Sequence, residues 1–313
     1  MRYNYLFLIL LSLLTKEILS QACCSVGTSV SGGAERGVIN YKNLSIALSF
    51  QNNVLDDTYN GSENIDDPLN RKSNVTDIFL ELEYGVTESV SILIAGGYTS
   101  KSRTTNFIDS ETNTIEEITF SGRGFSDVVI IGKYEILKPN ILSPLSISLG
   151  GGAKLPTGSY QLEENGTRLS IDLQPGSGAT DLLLWAHTNY NIPLASLGFN
   201  LNALYRYTGT NLDAYRYGDE FLATINSTYA VVEFLAINLQ FKGRFAAKDY
   251  WNNRFLPSTG GTYFDLSPSI IYTESSFNLR ILYQLPLYRD VEGIQLTVSE
   301  KLLAEFRYQI DLN

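Results

Sequence analysis

Several residue types that would point to particular chemistries are scarce in the sequence. Of its 313 residues, two are cysteines, Cys23 and Cys24, and only His187 is a histidine. A disulfide between adjacent cysteines is strained, because the bridge needs a particular Cα spacing and dihedral angle. A disulfide framework is therefore not expected. Since Cys23 follows Ala22, lipidation of Cys23, metal capture by the pair and an unmodified tail all stay open.

Long apolar runs are missing beyond the start of the chain. Arg2, the apolar run from Leu6 to Leu14 and then Ser20-Gln21-Ala22 follow the order of a secretory signal. We therefore predict that residues 1–22 are a cleaved signal peptide and that residues 23–43 form a periplasmic N-terminal segment. No later segment has the roughly 18 consecutive apolar residues that a transmembrane helix needs.

Positive charge is also scarce. The chain has 23 Lys and Arg against 33 Asp and Glu, a formal net charge of -10. Nucleic acid repels so acidic a chain, so no nucleic-acid partner is expected. In contrast, the 20 Tyr, 15 Phe and 25 Gly favour a strand-rich protein with aromatic girdles.

Apolar and polar residues alternate with a period of two in many segments. This period is typical of a strand with one apolar and one polar face. Twelve segments fit it: 44–51, 76–84, 90–99, 125–136, 144–154, 179–191, 196–207, 219–229, 235–247, 261–273, 276–287 and 298–310. Their lengths are close to the roughly 9 to 11 tilted residues that cross a bilayer, and their number is even, as in single-chain bacterial barrels. The predicted fold is all-β, a transmembrane antiparallel up-and-down β-barrel of about 12 strands over residues 44–313.

The connections between these segments alternate in length. Short ones are residues 85–89, 137–143, 192–195, 230–234 and 274–275, and long ones are residues 52–75, 100–124, 155–178 and 248–260. Outer-membrane barrels have short periplasmic turns and long external loops, whereas the alternative fold, a secreted β-sandwich, has no such rule. We therefore expect a barrel in the cell outer membrane with both termini in the periplasm. Its partners would be outer-membrane lipid and the barrel assembly machinery.

Five stretches resemble the outer-membrane transporter family named for a MetA pathway of phenol degradation. They are Tyr84-Gly85-Val86-Thr87-Glu88-Ser89-Val90-Ser91, Gly124-Phe125-Ser126-Asp127 with Gly132-Lys133-Tyr134, Lys154-Leu155-Pro156-Thr157-Gly158, Gln174-Pro175-Gly176-Ser177-Gly178-Ala179-Thr180-Asp181 and Leu285-Pro286-Leu287-Tyr288-Arg289-Asp290-Val291-Glu292-Gly293. The resemblance implies an outer-membrane barrel that passes small solutes, often hydrophobic or aromatic. Physically, Gly176 and Gly178 are expected to adopt positive φ before a strand begins. The chain departs from the pattern at its end, where Phe306, Tyr308 and Ile310 would have to supply the assembly signal.

The polar faces of the predicted strands supply the candidate lumen lining. It comprises Glu81, Glu83, Lys133, Glu135, Arg206, Lys242, Arg244, Arg280, Lys301, Glu305 and Arg307. Most of the acids lie on early strands and most of the bases on late ones. Two interpretations stay open: a transverse field that selects solutes by charge, or salt bridges that fill the lumen.

Catalysis is not expected. A lipid-hydrolysing barrel needs a serine and a histidine together on a face that lipid reaches, but His187 alternates with outward Leu184 and Ala186. No phosphate-binding loop or metal-ligand cluster is present, so we expect no cofactor and, apart from the open case of the two cysteines, no metal. Two function classes remain, a passive transport channel and a structural or adhesive barrel whose acidic loops bind a partner outside.

Overall fold

The computed structural model describes residues 32–67, 69–108, 114–140 and 143–312. The predicted signal peptide and both cysteines lie outside these residues. The wall strands are β1 (Asn43–Gly61), β2 (Lys72–Thr87), β3 (Val90–Ile108), β4 (Ile115–Phe125), β5 (Val128–Leu137), β6 (Leu145–Leu155), β7 (Asp181–Ile192), β8 (Leu197–Tyr207), β9 (Glu220–Val232), β10 (Leu235–Ala246), β11 (Gly261–Glu274) and β12 (Phe277–Asp311). Neighbouring strands pair antiparallel throughout.

The remaining elements are short. Two-residue and three-residue strands lie in the connections, at Glu63–Ile65, Glu163–Glu164, Thr167–Arg168, Tyr215–Arg216, Tyr250–Trp251 and Arg254–Phe255. The 3₁₀ turns are Gly32–Glu35, Ile171–Leu173 and Pro193–Ala195. No helix in the described ranges is long and apolar enough to cross a membrane.

The barrel closes because β12 runs along the wall twice. Residues 277–291 pair with β11, and residues 291–311 pair with β1. Gly293 lies at the bend with φ of 70°, a left-handed conformation that glycine adopts without steric cost. At the other end, the Gln309 amide donates to the Ser276 carbonyl at 2.9 Å, so the two legs lie side by side.

Strands β4 and β5 together make one pass along the wall, since both pair with β3. The wall therefore has twelve passes, and each of the twelve predicted segments overlaps one of them. The prediction of a closed antiparallel barrel is confirmed.

The two faces of the wall differ in polarity as predicted. On β10, Ile237 and Leu239 are 52% and 47% exposed on the outside, whereas Asn238 and Gln240 are 3% and 4% exposed. A soluble protein buries its apolar side chains, but here the polar ones are inside and a belt of Leu, Ile, Phe and Tyr is outside. Only a lipid environment covers such a belt, so the sandwich alternative does not hold.

The ends of the barrel differ in the length of their connections. The end with the short connections, which we call the turn end, also holds both ends of the barrel chain, because the Leu312 amide donates to the Lys42 carbonyl at 3.1 Å. The opposite end, which we call the loop end, holds the long connections, residues 62–71, 156–180, 208–219 and 247–260.

Two predicted loops, 52–75 and 100–124, are mostly strand. They continue the wall beyond its apolar belt as hairpins of polar residues, where Asn52 donates to Asn74 and Thr76 at 3.0 and 2.9 Å. Alternation failed to predict these extensions because it records which side chains face lipid, and a paired strand outside the bilayer has no such requirement.

The lipid-facing assignment gives a direct test. Leu239 lies midway along β10 on the outer face, so Leu239→Arg should cost roughly 2 to 4 kcal/mol of folding free energy in a bilayer. Leu239→Phe keeps the position apolar and should fold like the wild type. Refolding into vesicles, followed by heat-modifiable gel migration across a urea series, measures the difference. Equal midpoints for the two variants would contradict the assignment.

Candidate functional site

The candidate site is the interior of the barrel, and its wall is lined with ion pairs. Glu83 and Lys133, each 1% exposed, lie 3.0 Å apart. Arg307 contacts Glu81 and Glu305 at 3.4 and 3.2 Å. Each of these side chains was predicted to line the lumen, and the structure brings them together into one cluster near the turn end.

A second group of predicted lining residues lies on the later strands. Arg206 and Arg244 both contact Glu220, the former at 3.1 Å. Lys242 contacts Asp265 at 3.2 Å. Inward positions with opposite charge thus face each other across neighbouring strands.

Three predicted lining residues lie outside these two groups. Arg280 contacts Glu35 at 2.9 Å. Lys301 faces the interior, and Glu135 lies at the turn end, partly exposed. The structure places Glu135 apart from the interior clusters.

The predicted separation of acids and bases into two arcs does not hold. Glu220 and Asp265 are acids on late strands, and Lys101, Arg103 and Lys154 are bases on earlier ones. The charges form local pairs instead of a transverse field. The sequence analysis missed these residues although Glu220 and Asp265 occupy inward positions of predicted strands, where the alternation itself marks them.

The N-terminal segment enters the barrel from the turn end. The indole Nε1 of Trp185 donates to the Ala34 carbonyl at 2.6 Å, and the Lys133 ammonium donates to the Arg36 carbonyl at 3.0 Å. Residues 34–36 therefore lie inside the wall, although residues 23–43 were predicted to stay in the periplasm. Residues 23–31 lie outside the described part of the chain.

Side chains of this segment are held by charged partners. Glu35 accepts from Arg280 at 2.9 Å and from Gln240 at 2.8 Å. Arg36 donates to Glu305 at 3.3 Å. Because all partners belong to the wall, the segment is fixed by several strands at once.

One arc of the inner wall is apolar. Its buried members come from β3, β5, β7 and β8, and Ala34 of the N-terminal segment packs on them: Leu93, Val129, Ile131, Leu183, Trp185 and Leu204. The β6 strand between them presents Gly150, where an added Cβ would lie 2.9 Å from the Trp185 ring. Glycine there leaves room for the indole inside the barrel.

The loop 156–180 folds into the barrel from the opposite end. Leu173 is 3% exposed, and the carbonyl of Gln174 accepts from the Lys101 ammonium at 2.8 Å. Asp172 forms an ion pair with Arg103 on the inner wall of β3. The loop thus occupies the mouth at the loop end, a path that no sequence motif indicated.

A single carboxylate, Asp127, anchors both ends of this loop. It accepts from the amide of Gly158 and the amide of Ser177, each at 2.9 Å. It also accepts from the Lys154 ammonium at 2.9 Å, and Lys154 reaches Asp181 at 3.1 Å. Three motif stretches that are distant in sequence therefore meet at one buried cluster, which we call the Asp127 junction.

The family described as "Putative MetA-pathway of phenol degradation" matches residues 73–287. The chain belongs to this family. No curated protein sequence matches the chain.

Three solved structures give a measure of the fold. The COG4313 outer membrane channel from Pseudomonas putida F1 has a TM-score of 0.65 and 11% identity, over 90% of this chain and all of its own. The NanC porin gives 0.43 and 12%, over 85% and 100% of the two chains. The CymD monoaromatic hydrocarbon channel gives 0.41 and 9%, over 88% and 90%. Identities this low show the fold alone.

The family stretches were interpreted above as turn-forming, which is only part of their role. Gly178 has φ of 68° as predicted, but Gly176 does not adopt positive φ. An added Cβ on Gly176 would instead lie 2.8 Å from the Gly158 backbone and 3.0 Å from Asp127. Close packing at the Asp127 junction, and not turn conformation, is the reason for glycine at 176. The charged members Asp127, Lys154 and Asp181 were missed because nothing local marks them as partners.

A surface contact ties the inserted loop to its neighbour and should respond to pH. Arg168 donates to Asp213 at 2.7 Å, and this hydrogen bond lowers the pKa of the Asp213 carboxyl below its ordinary value of 3.8. A lowered folded-state pKa means that the stabilisation is present above the ordinary value and is lost as pH falls through the folded value. The contact should therefore hold above about pH 4 and weaken below it.

Pepsin, which is active at acid pH, can report this loosening. At each pH step below about 4, cleavage within residues 156–180 and 208–219 is compared between the wild type and Asp213→Asn, which lacks the ion pair throughout. The variant should be cut faster near pH 4, and the difference should shrink as the wild type loses the pair. A constant difference down to the lowest pH would contradict the assignment.

Proposed function

We propose that the protein is an outer-membrane channel through which small solutes pass passively. The turn end would face the periplasm and the loop end the outside. The observation that carries this proposal is what fills the lumen: residues 34–36 and the loop 156–180, two segments that are not part of the wall. Both are held by side-chain contacts that can break without opening the barrel.

The apolar arc of the inner wall supports solutes with an apolar or aromatic portion. Leu93, Ile131 and Trp185 are covered by Ala34, so displacement of the N-terminal segment would uncover them. The family description, which refers to phenol degradation, agrees with such solutes. The charged remainder of the wall would keep water in the path.

The experiment is reconstitution of the full-length mature chain in liposomes and planar bilayers. We expect swelling with small solutes and brief, small current steps, because the inserted segments leave the lumen only part of the time. A barrel that passes neither solutes nor current, even when residues Glu35 and Arg36 are replaced by alanine, would contradict the proposal.

A second candidate is an adhesive barrel, and exposed apolar side chains at the loop end favour it. Leu212 is 90% exposed and Phe255 is 62% exposed, next to the short sheet formed by Tyr215–Arg216, Tyr250–Trp251 and Arg254–Phe255. Exposed apolar groups of this kind often mark a binding surface. This candidate predicts that Leu212→Ser with Phe255→Ser abolishes partner binding while no variant conducts.

A further inference from the structure

Nearly every cation that faces the barrel interior has a carboxylate within 4.0 Å. Those with such a partner are Arg36, Arg103, Lys133, Lys154, Arg206, Lys242, Arg244, Arg280, Arg289 and Arg307. Two lysines differ. Lys101 donates only to the Gln174 carbonyl, and Lys301 makes no hydrogen bond or ion pair with any residue that the structure describes.

These two lysines lie in one row across the wall. Lys301 on β12 pairs with Asn53 on β1, Asn53 pairs with Val75 on β2, and Val75 pairs with Lys101 on β3. Neighbouring strands are about 4.8 Å apart, so the two backbones are at most about 15 Å apart and the long side chains can approach one ligand. The row is thus short enough for both ammonium groups to serve a single site.

Along the barrel axis, the row lies between the two inserted segments. Toward the turn end on the same strand, Glu305 contacts Arg36 of the N-terminal segment. Toward the loop end, Lys101 contacts Gln174 of the inserted loop. A solute that crosses the barrel must pass this row whichever segment it displaces first.

The nearest acid to both lysines is Asp77, and it does not neutralise them directly. Its oxygens accept from Thr99 at 2.7 Å and from Gln51 at 3.3 Å, and no lysine lies within 4.0 Å. The other charged groups around Lys301, namely Glu35, Lys242 and Asp265, have closer partners of opposite charge. Two ammonium groups against one carboxylate leave about one net positive charge at the row.

We propose that Lys301 and Lys101 form an anion subsite in the solute path and that it binds small organic monocarboxylates. The inference rests on the proposed channel function and names a solute class for it. An ammonium group binds a carboxylate through charge-assisted hydrogen bonds and, unlike guanidinium, acts as a point charge that tolerates varied orientation. A single net charge matches a monocarboxylate better than a dianion, and the apolar arc accommodates the hydrocarbon part of such a solute.

The first test compares butyrate with the uncharged butyramide of nearly equal size. Fluxes of both are measured in liposomes that contain the full-length mature protein. Lys301→Gln and Lys101→Gln should each reduce butyrate flux several-fold and leave butyramide flux unchanged. Lys248→Gln, which removes the same charge at the loop end where Lys248 contacts Glu292 at 3.0 Å, is the matched control and should change neither flux. An unchanged butyrate to butyramide ratio in Lys301→Gln, in a barrel that still migrates heat-modifiably, overturns the subsite.

The second test does not depend on conduction. Wild-type protein in detergent is labelled with an amine-acylating reagent, and the rate at each lysine is followed by mass spectrometry. Butyrate should slow labelling of Lys301 several-fold, butyramide should not, and Lys248 should respond to neither. Equal labelling rates with and without butyrate overturn the subsite. Absence of all flux together with protection at Lys301 overturns the channel function alone.

Discussion

Replacing both Glu35 and Arg36 by alanine is expected to raise the conductance of the reconstituted barrel well above that of the wild type. The two substitutions remove the ion pair between Glu35 and Arg280 at 2.9 Å, and the contact between Arg36 and Glu305 at 3.3 Å. They also remove the bond that Gln240 donates to Glu35. Without these contacts, the N-terminal segment should leave the lumen for a larger fraction of the time.

The size of the effect follows from the strength of these contacts. Hydrogen bonds to charged groups contribute roughly 1.5 to 3 kcal/mol each, and the low end applies here because water reaches the Arg36 side chain. A total of about 2 kcal/mol shifts the ratio of inserted to released segment by more than tenfold, since about 1.4 kcal/mol corresponds to a factor of ten. The bond from Trp185 to the Ala34 carbonyl remains, so the segment should be loosened and not permanently displaced.

A matched control removes an ion pair of the same type away from the lumen. Glu88 and Lys138 lie 3.7 Å apart at the turn end with both side chains exposed, and Glu88→Ala with Lys138→Ala should leave the conductance unchanged. Single-channel recording in planar bilayers compares the two double variants with the wild type. If Glu35→Ala with Arg36→Ala conducts like the wild type in a correctly folded barrel, the segment does not obstruct the path.

The wall of the barrel could be predicted from the sequence because each wall position is labelled by its surroundings. Lipid requires apolar residues outside and the lumen tolerates polar ones inside, so Leu239 and Gln240 carry their orientation in their chemistry. Every inward charge on a regular strand was accessible to this reasoning, including Glu220 and Asp265, which were overlooked. The failure there was one of selection.

What fills the barrel could not be predicted in the same way. The insertion of residues 34–36 depends on contacts with Trp185, Lys133 and Glu305, which are separated from them by between 97 and 269 positions in the chain. No periodic pattern accompanies such contacts, because each is a single polar bond between an irregular segment and a strand. The inward path of the loop 156–180 is hidden for the same reason, since its anchors are single residues in separate stretches.

Replacing Asp127 by alanine is expected to release the loop 156–180 from the barrel mouth. The amides of Gly158 and Ser177 would lose their shared acceptor, and the buried Lys154 would lose one of its two carboxylates. Loss of one partner from a buried ion pair costs about 3 to 5 kcal/mol, and the lower value applies because Asp181 still contacts Lys154 at 3.1 Å. The loop should become a site of rapid proteolysis, and the conductance should rise.

Asp127→Asn separates the role of the charge from that of the hydrogen-bond geometry. The asparagine oxygen can still accept from Gly158 or Ser177, but it offers no charge to Lys154, so an intermediate proteolysis rate is expected. Asp213→Asn is the control, because the exposed pair with Arg168 contributes about 1 kcal/mol or less. Cleavage is measured by limited trypsin digestion at neutral pH, which attacks Arg168 within the loop. A wild-type digestion rate in Asp127→Ala would mean that the loop is held by Arg103 and Lys101 on β3, and that the Asp127 junction serves the wall alone.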